Sequence, residues 1–202
     1  MNEFGIAAEM LRKSIHLMSV YIPILYHFTN KKFMAFVMLP LIILITFFDY
    51  FNVFMKLGEY GRKFHKKIYR DHEIQVKSFS GAFYFLTSSF FCILVFPKDV
   101  AILSIFVLIF SDTFASFVGR FLPIYKFHSL RKTLGGMFGF IFSGVVIVTF
   151  VNHIMHLNFN LSNAFIAVFV SSVFEMFAKK IKIDDNFLIP ISFCVCCILL
   201  SL

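Results

Sequence analysis

The feature that most constrains this chain is a series of long apolar stretches with few charged residues. A helix needs about 20 apolar residues, at about 1.5 Å per residue, to cross the ~30 Å hydrocarbon core of a bilayer. Of the 202 residues, 59% are hydrophobic and 15% are charged, whereas a soluble domain has about 25% charged residues. The sequence therefore predicts an integral membrane protein.

Seven apolar stretches are candidate transmembrane helices, and together they predict an all-α bundle forming a single polytopic membrane domain over residues 1–202. The first stretch is short and follows a basic segment, but no small-residue cleavage site follows it, so we expect an uncleaved helix and not a signal peptide. The stretches are Ser14 to Phe28, Phe33 to Met55, Phe79 to Phe96, Val100 to Val118, Gly136 to Leu157, Leu161 to Ala178 and Phe187 to Leu202.

The distribution of positive charge predicts the orientation of these helices, because cytoplasmic connections are enriched in Lys and Arg. The N-terminal segment and the second, fourth and sixth connections hold 16 of the 19 Lys and Arg residues, and the other connections hold 3. This split predicts a cytoplasmic N-terminus and a C-terminus outside, in a bacterial cytoplasmic membrane in preference to the endoplasmic reticulum. Since the charges flank the helices, the net charge of +8 does not indicate nucleic-acid binding.

Three acidic residues, Asp49, Asp112 and Glu175, lie inside the predicted helices. A carboxylate within a membrane helix is energetically costly, so such residues are candidates for function. In the predicted orientation, all three lie near the cytoplasmic ends of their helices. The alternative is that each carboxylate reaches the interface or pairs with a lysine of a loop.

The N-terminal segment places four polar residues at helical spacing. Their positions, i, i+3, i+4 and i+7, put an acid, two bases and an imidazole on one helix face. A charged interfacial turn would account for the two bases but poorly for the other two residues. The four residues are Glu9, Arg12, Lys13 and His16.

Small residues recur at four-residue spacing on the predicted fourth and fifth helices. Such stripes allow two membrane helices to approach closely. The stripes are Ser111, Ala115 and Gly119 on the fourth helix, and Gly135, Gly139 and Ser143 on the fifth.

A basic connection joins these two helices and leads to a glycine-rich helix start, whose N–H groups favour an anion. A buried acid beneath basic residues suits a phosphate with a divalent cation, because carboxylate oxygens bind Mg²⁺ and Lys or Arg neutralise phosphate. The alternative is a basic inner loop over packed helices. The polar residues of the connection are Arg120, Lys126, His128, Arg131, Lys132 and Thr133.

A third cluster begins at Glu175 and continues at the start of the seventh helix with Asp184, Asp185 and Asn186. One of the latter two could cap that helix. The acids and the amide could equally complete a metal shell with Asp112.

Taken together, these residues resemble the family of CTP-dependent lipid-alcohol kinases that includes dolichol kinase, phytol kinase and the CTP-dependent diacylglycerol kinase. The family patterns ExxRKxxH, DxxAxxxGR, KTxEG and E followed by DNxxxP have similar counterparts, in the same order, between residues 9 and 190. Two departures are Gly135, where the family has Glu, and Phe121-Leu122-Pro123 after Gly119-Arg120. The matching residues are Glu9, Arg12, Lys13, His16, Asp112, Ala115, Gly119, Arg120, Lys132, Thr133, Gly136, Glu175, Asp185, Asn186 and Pro190.

The resemblance implies transfer of a phosphoryl group from CTP to the hydroxyl of a lipid alcohol, which could be a polyprenol, a phytol-like isoprenoid or diacylglycerol. It implies a Mg²⁺ site formed by Asp112 and Asp185 with Glu175 or Asn186. The triphosphate would be held by Arg12, Lys13, Arg120 and Lys132, with Thr133 and Gly136 shaping the loop. His16 or Asp112 would accept the hydroxyl proton. Together with Lys132, these two residues make up the expected catalytic set.

Two other functions remain open on the sequence. A related enzyme, a phosphatidate cytidylyltransferase, would transfer CMP to a lipid phosphate and make a CDP-lipid. A small transporter would place polar groups near the middle of the membrane, where this chain offers only scattered candidates such as His27, His153 and His156.

Overall fold

A computed structural model describes residues 13–14, 16–54, 79–127, 132–157 and 159–201, with only the backbone for 51–54. This part of the chain is mostly helical. A short antiparallel hairpin between α4 and α5 is a small departure from the predicted all-α fold. The elements are α1 Tyr21–Phe28, α2 Lys31–Phe54, α3 Gly81–Val95, α4 Lys98–Phe121, β1 Lys126–Phe127, β2 Lys132–Thr133, α5 Leu134–Ile154, α6 Leu161–Ile181 and α7 Asp185–Leu199.

Within the described ranges, four helices are long and apolar enough to cross a membrane: α2 over Lys31–Tyr50, and the whole of α4, α5 and α6. Helices α3 and α7 are apolar but have only 15 residues each. Large apolar side chains also cover the outside of the bundle, as Phe36 and Phe142 show with 78% and 72% exposure. Such a surface suits lipid better than water, and by length and composition the fold is that of a helical membrane protein.

The first predicted stretch, Ser14 to Phe28, is not one continuous helix. Residues 16–18 are helical, Ser19 and Val20 form a turn, and α1 follows. Pro23 has no N–H with which to donate to the Ser19 carbonyl, and that carbonyl accepts from the N–H of Ile22 at 3.0 Å instead. With eight residues, α1 is about 12 Å long.

Helix α4 lies at the centre of the bundle. It packs against α1, α3, α5 and α7, and its residues from Val100 to Ile109 are buried throughout. A helix that is apolar on all sides is expected to be buried on all sides. In contrast, α2 packs mainly against α3 and presents much of its surface to the outside.

Helices α4 and α5 approach each other closely through small residues, as their sequence predicts. A Cβ atom on Gly119 would lie 3.2 Å from the Cα of Gly136, and one on Gly139 would lie 2.8 Å from the Cβ of Val118. The register on α5 differs from the predicted one, because Gly136 and not Gly135 faces α4. Gly135 instead lies against the backbone carbonyl of Leu122.

The helices alternate in direction, so that α2, α4 and α6 end where α3, α5 and α7 begin. We call this the site end of the bundle. At the opposite end, the Lys98 ammonium donates to the carbonyl oxygens of His27 and Thr29, at 2.8 and 2.9 Å. Lys31 likewise donates to the Leu94 carbonyl at 3.0 Å. Asp49, Asp112 and Glu175 therefore lie at one end of the bundle.

Candidate functional site

Three buried carboxylates from three helices meet at the site end. Asp112 of α4, Glu175 of α6 and Asp185 of α7 are 2%, 4% and 8% exposed. One oxygen atom from each lies within 4.8 Å of the others. We call these residues the carboxylate cluster; they are the three acids that the family resemblance assigns to Mg²⁺.

Two lysines form ion pairs with the carboxylate cluster. The Lys13 ammonium donates to Oδ2 of Asp112 and, at 3.3 Å, to the backbone carbonyl of the same residue. The Lys132 ammonium donates to Oε1 of Glu175 and lies 3.4 Å from Oδ2 of Asp185. Buried carboxylates are tolerated only when such partners are present, so the lysines account for the stability of the cluster.

The neighbouring carboxylates stabilise the protonated form of Lys132. Burial, the largest influence, lowers the pKa of Lys132, but the negative charges of Glu175, Asp185 and Asp112 outweigh it, with help from the hydrogen bond to Glu175. The net result is a pKa above the ordinary value for lysine. Lys132 is therefore a cation at neutral pH.

The start of α7 positions Asp185 without using it as a cap. The carboxylate of Asp184, one residue earlier, accepts the hydrogen bond from the N–H of Asn186 at 2.9 Å. The prediction that Asp185 or Asn186 caps the helix is therefore wrong. Because Asp184 takes that role, the carboxylate of Asp185 is left to face Lys132 and the carboxylate cluster.

The start of α5 is closed to an anion, contrary to the sequence-based expectation. Its first three N–H groups already donate to the carbonyl of Tyr125, the carbonyl of Ile124 and the hydroxyl of Thr133, at 3.2, 3.4 and 3.1 Å. Ile124 and Tyr125, just before β1, and Thr133 at the end of β2 provide these acceptors. These three N–H groups are therefore not free to bind a phosphate.

Thr133 and Gly136 both contact α4 at the start of α5. Thr133 caps α5 through the N–H of Gly136, and its hydroxyl also lies 3.4 Å from the carbonyl oxygen of Gly119. A Cβ on Gly136 would lie 3.0 Å from the Ala115 carbonyl oxygen. Both residues thus hold α5 against α4, and Lys132 immediately precedes Thr133.

Asn186 joins α7 to α3. It is buried, its amide Nδ2 lies 3.4 Å from the Gly81 carbonyl oxygen, and its own carbonyl accepts a hydrogen bond from the Ser88 hydroxyl at 2.8 Å. These contacts indicate a structural role beside the carboxylate cluster, whereas the resemblance assigns Asn186 to the nucleotide or the metal.

The remaining candidate residues are placed as follows. His16 packs its ring against Phe85 of α3, with 5.0 Å between ring centroids. Arg120 lies half-buried in the last turn of α4. Glu9, Arg12, His128 and Arg131 lie outside the described residues.

One contact at the site end escaped the sequence analysis. Oδ2 of Asp49 accepts hydrogen bonds from both the N–H and the hydroxyl of Ser80, each at 2.8 Å. The Ser80 hydroxyl in turn accepts from the N–H of Phe83 and so caps α3. A serine directly before an apolar run is a recognisable capping signal, but nothing in the sequence joins it to an acid 31 residues earlier.

The composition of the carboxylate cluster suits a small divalent cation. Mg²⁺ prefers carboxylate oxygens and is commonly bound through a few carboxylates together with substrate phosphates. The cluster provides three such side chains, with cationic groups nearby that could contact phosphate. The donors present therefore fit a magnesium ion.

Comparisons with known proteins yield one uncharacterized relative. The chain is 27% identical over 196 residues to an uncharacterized protein of Rickettsia prowazekii (strain Madrid E), covering 93% of this chain and 92% of the relative. No protein-family model matches the chain, and no solved structure matches it. The similarity extends over nearly the whole of both chains.

Proposed function

We propose that this protein is a membrane-embedded kinase that transfers the γ-phosphate of CTP to the hydroxyl of a lipid alcohol. The observation that supports this most strongly is the carboxylate cluster, buried at one end of the bundle and paired with Lys13 and Lys132. The choice of CTP and of a polyprenol, phytol-like isoprenoid or diacylglycerol as acceptor follows the family resemblance.

In this proposal, Asp112, Glu175 and Asp185 hold Mg²⁺, which when bound neutralises charge on the phosphate oxygens. Lys13 and Lys132 bind the phosphates, and Arg120 at the end of α4, together with Arg12, adds further positive charge. Such positioning and charge neutralisation provide most of the catalysis in phosphoryl transfer. Thr133, by capping α5, fixes the place of Lys132 relative to the carboxylates.

The reaction forms a bond between the lipid hydroxyl oxygen and the γ-phosphorus and breaks the bond from that phosphorus to the β–γ bridging oxygen, releasing CDP. The hydroxyl proton is accepted by His16 or by Asp112. His16 is placed beside α3 by its contact with Phe85. Asp112 is placed at the cluster by Lys13.

We further propose seven membrane crossings, with a cytoplasmic N-terminus, a C-terminus outside and the site end facing the cytoplasm. The location of 16 of the 19 Lys and Arg residues supports this orientation. CTP would then reach the site from water, and the lipid alcohol would reach it from the bilayer. A bacterial cytoplasmic membrane fits these substrates.

The decisive experiment supplies purified protein with Mg²⁺, extracted lipids and CTP labelled on either the α or the γ phosphate. Label from the γ position in the lipid product is the expected result. Label from the α position would instead indicate a cytidylyltransferase that makes a CDP-lipid, and the kinase proposal would be abandoned. ATP labelled on the γ phosphate, tested in parallel, examines the nucleotide preference.

A transporter is tested separately by solute flux in proteoliposomes. Saturable uptake that survives Asp112→Ala, together with absence of lipid labelling, would favour transport over catalysis.

A further inference from the structure

Lys13 and Lys132 contact the same three carboxylates that the proposed function assigns to a metal ion. Lys13 donates to Oδ2 of Asp112, while Lys132 donates to Oε1 of Glu175 and approaches Oδ2 of Asp185. An ion bound by the carboxylate cluster would use the same three side chains. The ammonium groups and a metal ion therefore compete for one set of acceptors.

Burial explains why the lysines take these positions. The side chains of Asp112 and Glu175 are only 3% and 6% exposed, and those of Lys13 and Lys132 are 13% and 20% exposed. Carboxylates removed from water are unfavourable unless an opposite charge lies beside them. Each lysine thus supplies the charge that the cluster needs when it holds no metal.

Replacing the two lysine ammonium groups by one divalent metal ion would leave the net charge of the cluster unchanged. Two ammonium groups carry the same charge as one divalent ion. A metal ion that arrived alone would displace them and leave them close by with no anion to contact. A metal ion that arrived with a triphosphate would bring new anionic oxygens for them, and the flexible four-carbon stem of lysine allows a short movement of the charge.

We propose that Lys13 and Lys132 act as internal substitutes for the metal ion, and that they exchange the carboxylates for phosphate oxygens when metal and nucleoside triphosphate bind together. This inference rests on the proposed function and adds a binding order to it. Metal alone binds weakly because it must displace both ammonium groups. Since coupling between two ligands is reciprocal, bound metal also raises the affinity for the nucleotide.

The first test measures Mn²⁺ binding to the full-length, nucleotide-free protein in detergent, by the electron paramagnetic resonance signal of free Mn²⁺. Lys132→Met and Lys13→Met should each raise the affinity for Mn²⁺ by about tenfold, within the usual range of coupling between sites. Lys126→Met and Lys182→Met, at exposed positions of the site end, control for the general loss of positive charge and should change it by less than about twofold. Asp112→Asn should remove the gain.

The second test uses the unaltered protein, so it stands even where a lysine variant fails to fold. Lys13 and Lys132 are labelled with an amine-reactive reagent, and labelling is quantified by mass spectrometry. Saturating Mn²⁺ should increase the labelling of both lysines, and further addition of CTP should decrease it. Labelling of Lys126 should stay constant.

The outcomes separate this inference from the function on which it rests. Mn²⁺ binding that depends on Asp112 but is equal in the lysine variants and their controls, with no change in lysine labelling, would overturn the exchange and leave the metal site intact. No Mn²⁺ binding in any variant, with or without CTP, would overturn both the exchange and the magnesium assignment.

Discussion

The ammonium group of Lys13 donates a hydrogen bond to the carboxylate of Asp112, 99 residues further along the chain. This contact ties the N-terminal segment to the central helix of the bundle. Lys13, directly before the first apolar stretch, and the acid of α4 therefore belong to one site. Their roles can be separated by substitution.

Asp112→Asn should lower transfer of label from γ-labelled CTP to lipid by about 100-fold or more, because it removes the charge that holds the metal while preserving side-chain size. Asp99→Asn is the matched control, since Asp99 lies in the first turn of the same helix at the opposite end and should retain near-normal activity. Near-normal activity of a well-folded Asp112→Asn variant would show that the reaction occurs elsewhere.

Lys132→Met should destabilise the protein, because it leaves Glu175 and Asp185 without the charge that Lys132 provides. Since Lys132 is partly exposed, we expect a loss of about 2–3 kcal/mol in the free energy of unfolding, below the usual cost of breaking a fully buried pair. Adding Glu175→Gln should recover part of the loss, which denaturant unfolding in detergent can measure. Equal stability of Lys132→Met and Lys126→Met would contradict a structural role for this pairing.

Gly135→Ala should destabilise the connection between α4 and α5. An added Cβ would lie 2.0 Å from the Leu122 carbonyl oxygen, so the backbone must move, at a cost of about 1–3 kcal/mol. Phe138→Ala, on the outer face of the same helix, should change stability less. Thermal unfolding in detergent would measure both, and a Gly135→Ala midpoint equal to that of the unaltered protein would refute the close contact.

Asp49 and Ser80 should behave as a coupled pair in a double-mutant cycle. Asp49→Ala removes the acceptor of both hydrogen bonds at the start of α3, whereas Ser80→Ala keeps the backbone donor and removes the hydroxyl that donates the other bond and caps the helix. Because the two substitutions share the hydroxyl–carboxylate bond, each should cost about 1–3 kcal/mol and the double variant should cost less than their sum. Additive losses, measured by denaturant unfolding, would mean that the two residues contribute independently.

The orientation predicts opposite labelling of two exposed positions at the ends of α6. In a background with the four native cysteines replaced by alanine, Lys182→Cys should react with a membrane-impermeant maleimide only after permeabilisation of the cells. Ser162→Cys should react in intact cells. Reactivity of both positions from one side would show that α6 does not cross the membrane, and the reversed pattern would invert the topology.

Most helix positions could be predicted because the apolar stretches of the sequence mark them. The stretch assigned to α6 begins at Leu161 in both the sequence analysis and the structure. The first stretch failed because apolar composition does not record that Pro23 lacks the N–H needed to continue a helix back to Ser19. Local hydrogen bonding, and not hydrophobicity, determines where the helix in that segment is interrupted.

The acidic residues of the site could be recognised individually, since each is costly in an apolar helix. Their partners could not be recognised, because the partner of a buried charge depends on how distant segments pack. Asp49 contacts Ser80, and the connection between α4 and α5 provides the acceptors for the first N–H groups of α5. The expectation of a backbone anion site at α5 was wrong because these N–H groups already donate hydrogen bonds. The sequence of a helix start does not show whether its N–H groups have partners elsewhere in the fold.

Helices α3 and α7, which pack against each other and both begin at the site end, measure about 22 Å each at 15 residues. This is shorter than the ~30 Å hydrocarbon thickness of an average bilayer. In the proposed topology, in which α3 and α7 cross the membrane, local thinning of the bilayer beside this flank is one way to relieve the hydrophobic mismatch, at a cost of fractions of a kcal/mol per Å. Such thinning would lower the lipid headgroups on this flank toward the depth of Asp185, so that a lipid hydroxyl could approach the carboxylates while its chains remain in the bilayer.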